Sequence, residues 1–198
     1  IHQGYGLTET SPAANINQPN PPPAMATNEP QAGRKIGTVG RMMPGMTARI
    51  VDPDTGGELP PTESGVVLFR GANVFEGYLD EPEKTNAAFR DGWFVTGDIG
   101  HFDDDGFLVI EGRLSRFSKI GGEMVPHVTI EQKIIAGFGW EQLEGPVVFV
   151  IGVPDATKGE ALVILTTVEL TVEEVRTRLA AAGVPNLWVP KIVKRVEK

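Results

Sequence analysis

Two separated groups of polar residues have the types and the spacing of a nucleotide site. The first lies in the segment GYGLTETSP and contains Tyr5, Gly6, Thr8 and Glu9. An aromatic ring beside a glycine offers a flat face to a purine, a threonine hydroxyl can contact a phosphate oxygen, and a glutamate is a hard oxygen ligand suited to Mg²⁺. Such a group could neutralise charge as pyrophosphate leaves. An ordinary polar turn with a capped helix start fits these residues equally well.

The second group lies in the segment WFVTGDIGHFDDDGFLVIEGR, residues 93–113. A carboxylate at a strand end can accept hydrogen bonds from both hydroxyls of a ribose. Asp98, which follows Thr96 and Gly97, is therefore a candidate ribose ligand, and Arg113 adds a cation fifteen residues later. Taken alone, Asp98 is more often a turn-capping aspartate, and an arginine such as Arg113 more often forms a surface salt bridge.

In their order and joint presence, the two segments resemble the nucleotide-handling motifs of the acyl-adenylate-forming superfamily, which includes acyl-CoA synthetases, peptide-synthetase adenylation domains and luciferases. The resemblance implies a reaction in which a carboxylate attacks ATP and the acyl-AMP is passed to a thiol. ATP or AMP and Mg²⁺ are the implied cofactors. The implied roles are nucleotide contacts for Tyr5, Gly6, Thr8 and Arg113, catalysis for Thr8 and Glu9, Mg²⁺ binding for Glu9 and ribose binding for Asp98.

The segment GRLSRFSKIGGEMVPHVTIE, residues 112–131, resembles the start of the mobile C-terminal domain of that superfamily. The resemblance implies a hinge at Ser115, where the family more often has Asp or Lys, so the usual hinge charge is absent. Rotation about such a hinge would present different faces to adenylation and to thiol transfer. The turn that follows would contribute a catalytic Lys119 and a pantetheine channel at Gly121, Gly122 and Glu123. A solvated hairpin tip is the alternative for this turn.

Within this segment, RFSKIGGEMVP resembles the acyl-acyl carrier protein synthetases, in particular the ligase portion of bifunctional 2-acylglycerophosphoethanolamine acyltransferases. That narrower resemblance implies a fatty acid substrate, acyl carrier protein as the thiol partner, lysophospholipid reacylation, and a cytoplasmic protein whose parent sits at the inner face of a bacterial membrane. A basic cluster could meet the acidic carrier, although such clusters are more often solvated faces. Its members are Lys191, Lys194, Arg195 and Lys198.

Two other functions remain open at this point. The first is a fatty acyl-CoA synthetase that uses CoA instead of the carrier protein. The second is a non-catalytic module that docks a partner through its C-terminal domain.

The composition limits the classes of function. Hydrophobic residues make up 40% of the chain and charged residues 22%, as in ordinary soluble globular proteins. The sequence shows no apolar run near 18 residues and no basic or hydrophobic leader, so we expect no membrane insertion. The absence of cysteine excludes disulfides and thiolate catalysis. Residues 1–112 have 7 Lys and Arg against 16 Asp and Glu, which argues against a nucleic-acid partner.

The patterning predicts an α+β fold with one domain over residues 1–112 and another over 113–198. In the first, a proline-rich loop at 19–33 precedes short strands separated by turns, which predict a β-rich, barrel-like subdomain, either a small barrel or a meander. The predicted strands are 48–51, 66–70 and 107–111, with one helix at 82–89 that begins on a proline.

The second domain is predicted to be a mixed sheet flanked by helices. An amphipathic pattern predicts a helix at 126–138. Continuous apolar runs predict strands at 147–153, buried on both sides, and at 162–168. Thr171 and Glu174 have the spacing of a capping box for a last helix.

The resemblance maps onto roughly the C-terminal two fifths of a full enzyme of the superfamily. The glycine-rich phosphate loop would precede Tyr5, and the adenylating lysine of relatives would follow the end of the sequence. We therefore expect the chain alone to lack adenylation activity. Pyrophosphate release from ATP on addition of a fatty acid would contradict that expectation.

Overall fold

A computed structural model describes residues 2–22 and 32–197 and confirms the α+β fold. The chain divides into two compact units, Ile1–Leu114 and Ser115–Lys198, which are described separately below. Most of the predicted proline-rich loop, residues 23–31, lies outside the described residues.

The first unit is built from short antiparallel strands and one helix. Two sheets form, with the orders β1-β2-β3 and β4-β5-β7-β6, and β8 pairs with β7. The elements are β1 Gly4–Tyr5, β2 Asn15–Ile16, β3 Arg41–Met42, β4 Met46–Val51, β5 Gly65–Gly71, α1 Pro82–Ala88, β6 Phe89–Arg90, β7 Trp93–Phe102 and β8 Leu108–Arg113.

Of the barrel and the meander that the pattern allows, the residues that the structure describes form no closed barrel. β4 lies at one end of the five-stranded sheet and has β5 as its one partner among the described strands, so the sheet is open. Its buried side chains pack with the first motif segment around Val67, Phe69 and Leu108, and the Tyr5 ring packs against this cluster. The core of this unit therefore joins the two segments that carry the nucleotide motifs.

The second unit is a mixed sheet with two helices. β10, β9, β12 and β11 are antiparallel neighbours in that order, and β13 pairs with β12 in parallel. The elements are β9 Phe117–Ile120, β10 Glu123–Pro126, α2 His127–Phe138, β11 Val148–Asp155, β12 Gly159–Thr166, α3 Val172–Ala181 and β13 Ile192–Arg195.

Both helices of the second unit form where their sequence patterns predict them. α2 buries Ile130 and Ile134 on one face and ends at Gly139, whose φ is 69°. α3 begins at the predicted capping box, where the Glu174 N–H donates to Thr171 Oγ1 and the Thr171 N–H donates to the Glu174 carboxylate. The inward faces of the two helices share one hydrophobic core with the sheet.

The strand predicted at 147–153 forms, but its burial on both sides is wrong. Among the described strands, β11 pairs with β12 alone, so it lies at an edge of the sheet. Val148 and Val150 are buried in the core, whereas Phe149, on the opposite face, is 45% exposed. The continuous apolar run does not distinguish an edge strand covered on one face from a central strand covered on both.

Candidate functional site

Asp98 lies in the middle of β7, where it is almost fully enclosed. The sequence predicts a strand end at this point, but β7 continues to Phe102 because it pairs with β5 and with β8. Asp98 faces Arg113 directly across the β7–β8 ladder, and Arg113 Nε lies 2.8 Å from Asp98 Oδ1. Asp98 is 3% exposed, while the Arg113 side chain is 55% exposed. The structure therefore brings this predicted pair together at the surface of the first unit.

Thr96 fixes the backbone that carries Asp98. Its buried hydroxyl donates to the Val67 carbonyl at 2.7 Å on the neighbouring strand and accepts from the Asp98 N–H at 3.0 Å. The Thr96 carbonyl accepts from Arg113 Nη1 at 3.2 Å. Thr96 is thus a structural support for both charged residues.

Tyr5 reaches the same carboxylate from the first motif segment. Its hydroxyl donates to Asp98 Oδ2, and its ring packs against Phe69 with centroids 6.0 Å apart. Burial raises the pKa of the Tyr5 phenol well above its usual range, and the Asp98 carboxylate raises it further. Burial also raises the pKa of Asp98, although the Tyr5 hydroxyl and Arg113 oppose that rise. Tyr5 and Arg113 together cap both oxygens of Asp98.

Gly6 is required by close backbone packing. A Cβ atom at this position would lie 1.9 Å from the Pro12 carbonyl oxygen and 2.7 Å from Ala13 Cα. The chain folds back at this point, and the Ala14 N–H donates to the Tyr5 carbonyl at 2.9 Å. The glycine therefore allows the hairpin that holds Tyr5 in place.

Glu9 lies in a short helical turn, Thr8–Thr10, and accepts a hydrogen bond from the Tyr78 hydroxyl at 2.8 Å. That bond raises the pKa of the Tyr78 phenol. Among the described residues, no group of three or more acidic or histidine side chains could hold a metal ion. Since Mg²⁺ commonly keeps water ligands and takes one or two carboxylates plus substrate phosphates, a single glutamate fits a site that a nucleotide completes.

The turn of the first motif is held by residues that the sequence did not single out. The buried Thr10 hydroxyl accepts from the Leu7 N–H at 2.9 Å, and Asn73 Nδ2 donates to the carbonyls of Thr10 and Ala13, both at 2.7 Å. These contacts leave Thr8 exposed to solvent. Asn73 lies sixty residues or more from its partners, and no sequence pattern marks such a contact.

In the second unit, Gly121 and Gly122 form the turn of the hairpin between β9 and β10. Both have positive φ, 58° and 91°, as a two-residue turn between the paired Ile120 and Glu123 requires. The solvated hairpin geometry that was considered as the alternative is therefore present, and the pantetheine role remains a prediction.

The two charged residues that flank this turn lie on its paired strands. The Lys119 side chain is exposed on β9, and the Lys119 N–H donates to Glu160 at 2.6 Å. Glu123 accepts from Trp188 Nε1 at 2.9 Å. Neither contact tests the catalytic or channel role predicted for these residues.

The predicted hinge residue, Ser115, is the first residue of the second unit and is exposed. The next residue, Arg116, is fixed within that unit. Its guanidinium donates to the Val150 carbonyl at 3.1 Å and to Glu131 at 2.6 Å, and it stacks over the Phe149 ring. Rotation at Ser115 itself remains a prediction.

Ser118 and His127 form a pair that no sequence pattern indicates. Ser118 Oγ and His127 Nε2 lie 2.9 Å apart, and both residues are buried, with exposures of 1% and 3%. Burial, together with the charge of Arg116, lowers the pKa of His127 to about 4. This buried pair links β9 to the first residue of α2.

The chain is similar to known AMP-binding enzymes and CoA ligases. Residues 1–79 match a family model described as AMP-binding enzyme. A long-chain-fatty-acid–CoA ligase from Bacillus subtilis is 32% identical over 94% of this chain and 32% of the relative. A 4-coumarate–CoA ligase-like protein from Arabidopsis thaliana is 35% identical over 83% of this chain and 30% of its own length. The chain spans about a third of the length of these relatives.

The fold is also similar to solved structures. The crystal structure of ATP-bound MatB from Rhodopseudomonas palustris is 33% identical, with a TM-score of 0.70, and the match covers all of this chain and 37% of that one. In the described residues, no helix is long and apolar enough to cross a membrane.

Proposed function

Membership of the AMP-binding enzyme superfamily is supported by the family model and by the structural neighbours, and from this premise we propose that the protein takes part in an ATP-dependent acid–thiol ligase reaction. The acid would be a fatty acid, activated as acyl-AMP and transferred to a thiol. The observation that carries the proposal is the enclosed Asp98 carboxylate, with Tyr5 and Arg113 on its two oxygens. An aspartate carboxylate, which accepts hydrogen bonds at both oxygens, is suited to holding the two hydroxyls of a nucleotide sugar.

In this proposal each residue of the first unit has one task. Asp98 accepts hydrogen bonds from the ribose hydroxyls, and Thr96 holds the Asp98 backbone still. The Tyr5 ring offers a face to the purine, and the exposed Arg113 guanidinium contacts the bound nucleotide. Thr8, exposed beside Glu9, donates its hydroxyl to a phosphate oxygen.

Glu9 would hold Mg²⁺ in this site. The ion, when bound, would neutralise charge on the phosphate oxygens as pyrophosphate leaves. The Tyr78 hydroxyl on Glu9 orients the carboxylate. Removing the Glu9 carboxylate should therefore weaken binding of ATP more than binding of AMP, because AMP carries fewer phosphate oxygens to share the ion.

The thiol half of the reaction is assigned to the hairpin of the second unit. Gly122 has nothing within 4 Å of the position that a Cβ atom would occupy, so a narrow pantetheine arm could approach its backbone. Lys119 and Glu123 would flank that arm. We favour the phosphopantetheine of acyl carrier protein over CoA because of the segment RFSKIGGEMVP and the basic residues Lys191, Lys194 and Arg195.

Thermal unfolding tests the nucleotide half of the proposal. AMP at a hundredfold excess over its Kd should raise the melting temperature of the first unit by about 10 °C. The matched variant Asp98→Asn keeps the side-chain shape and should lose the rise. Equal melting temperatures with and without AMP or ATP in the wild type would instead favour a module that only docks a partner.

The choice of thiol is tested by nuclear magnetic resonance. Holo-acyl carrier protein should shift the amide signals of Gly121 and Gly122, whereas the apo-carrier, which lacks phosphopantetheine, should leave them unchanged. Shifts produced by CoA at lower concentration than by the holo-carrier would reject our choice and favour an acyl-CoA synthetase, as in the Bacillus subtilis relative.

A further inference from the structure

The carboxylate proposed to bind ribose is already occupied by groups of the protein. Asp98 Oδ2 accepts from the Tyr5 hydroxyl and Asp98 Oδ1 lies 2.8 Å from Arg113 Nε. Two donors on two oxygens reproduce the hydrogen bonds that the two hydroxyls of a ribose would give. With Asp98 3% exposed, little of its surface is open to a ligand.

The two capping groups differ in how freely they can leave. Arg113 has a long side chain that is 55% exposed, and Thr96 and Asp98 are its partners among the described residues. Tyr5 belongs to β1, is paired with Asn15, and packs against Phe69 in the core. When Arg113 leaves Asp98, water can accept its hydrogen bonds. When the Tyr5 hydroxyl leaves Asp98, it must reorient within a packed site.

We propose that the Tyr5 hydroxyl and the Arg113 guanidinium form a ribose latch, a pair of internal donors that occupies Asp98 until a ribose with both hydroxyls displaces them. Displacement by a ribose rests on the proposed function. The contacts of the latch itself are made by Tyr5, Arg113 and Asp98 without a nucleotide. Tyr5 is then a positioning residue with two opposed effects. Its ring supports the nucleotide, and its hydroxyl competes with the ribose.

The latch predicts that removal of one hydroxyl tightens binding. A site that is open for only a fraction of the time has its affinity reduced by that fraction. A hydrogen bond to a charged group is strong enough for Tyr5→Phe to lower the Kd for AMP about tenfold. The ring remains, so stacking on the purine is unchanged. If Tyr5 acted only through its ring, or donated to the ribose, the variant would bind equally or less tightly.

Calorimetric titration at pH 8 tests this prediction. AMP should bind Tyr5→Phe about tenfold more tightly than the wild type. The control ligand is 2′,3′-dideoxy-AMP, which has no diol and should bind both proteins with the same Kd. Equal or weaker AMP binding by Tyr5→Phe would overturn the latch, as would an identical gain for both ligands.

A second measurement tests the latch without a nucleotide, so that its failure is distinguishable from failure of the proposed function. Tyr5→Phe and Asp98→Asn should have non-additive effects on urea unfolding of the protein without nucleotide, because each removes the same hydrogen bond. Additive effects of the two substitutions would refute contact between Tyr5 and the carboxylate even if AMP binds.

Discussion

Because Ser118 and His127 form a buried pair, the free energy of unfolding of the second unit falls in mild acid. His127 is neutral in the folded protein, with a pKa lowered to about 4, while in the unfolded chain it has the ordinary value of 6.5. Between these values the unfolded chain binds more protons, so stability falls as the pH falls from 6.5 toward 4. This difference in pKa corresponds to about 3 kcal/mol of unfolding free energy. That free energy is lost at up to about 1.4 kcal/mol per pH unit. Burial of the ring at 3% exposure supports an effect of this size.

Urea unfolding followed by tryptophan fluorescence measures this dependence, since Trp140 and Trp188 both lie in the second unit. The matched variant is His127→Gln, which keeps a hydrogen-bonding side chain beside Ser118 but does not titrate. The wild type should lose about 3 kcal/mol more than the variant between pH 7.5 and 4. Titrating carboxylates contribute to both proteins and cancel in the difference. Parallel pH dependences would refute the argument that His127 is buried and neutral.

Three further substitutions test the packing that supports the sites. Gly6→Ala should destabilise the first unit by about 1 to 3 kcal/mol, because the new Cβ meets the Pro12 carbonyl, and unchanged urea unfolding would contradict that contact. Thr171→Ala should cost about 1 kcal/mol through loss of the capping box, measured by thermal unfolding of the second unit. Ile134→Ala should lower the free energy of unfolding by about 2 to 5 kcal/mol. The control Val128→Ala, on the exposed face of the same helix, should change it by less than about 0.5 kcal/mol. Similar losses for the two variants would disprove the assigned faces of the helix.

The elements with a local signal were predictable from the sequence. The capping box at Thr171 and Glu174 and the apolar spacing of Ile130 and Ile134 depend on neighbours within one or two helical turns. The strands β1, β2 and β3 have only two residues each, which is too short for an alternating pattern. Tertiary contacts decide the pairing of these strands, so no sequence pattern predicts them.

The candidate site residues could be named from the sequence, but their arrangement could not be predicted from it. Asp98 and Arg113 were named from the motif, and the β7–β8 register then places them opposite each other. The contact between Tyr5 and Asp98 spans 93 residues, and nothing local to either indicates that a tyrosine hydroxyl would occupy the carboxylate. The Ser118–His127 pair was missed for the same reason, because it depends on the hairpin that brings β9 and β10 together.

In the proposed function, the Asp98 carboxylate holds the ribose of a bound nucleotide. A crystal structure of the protein with AMP measures this directly. We expect both ribose hydroxyls within about 3 Å of the Asp98 oxygens, with Tyr5 Oη and Arg113 Nε displaced from them. A nucleotide bound elsewhere, with Tyr5 and Arg113 still on Asp98, would contradict the claim.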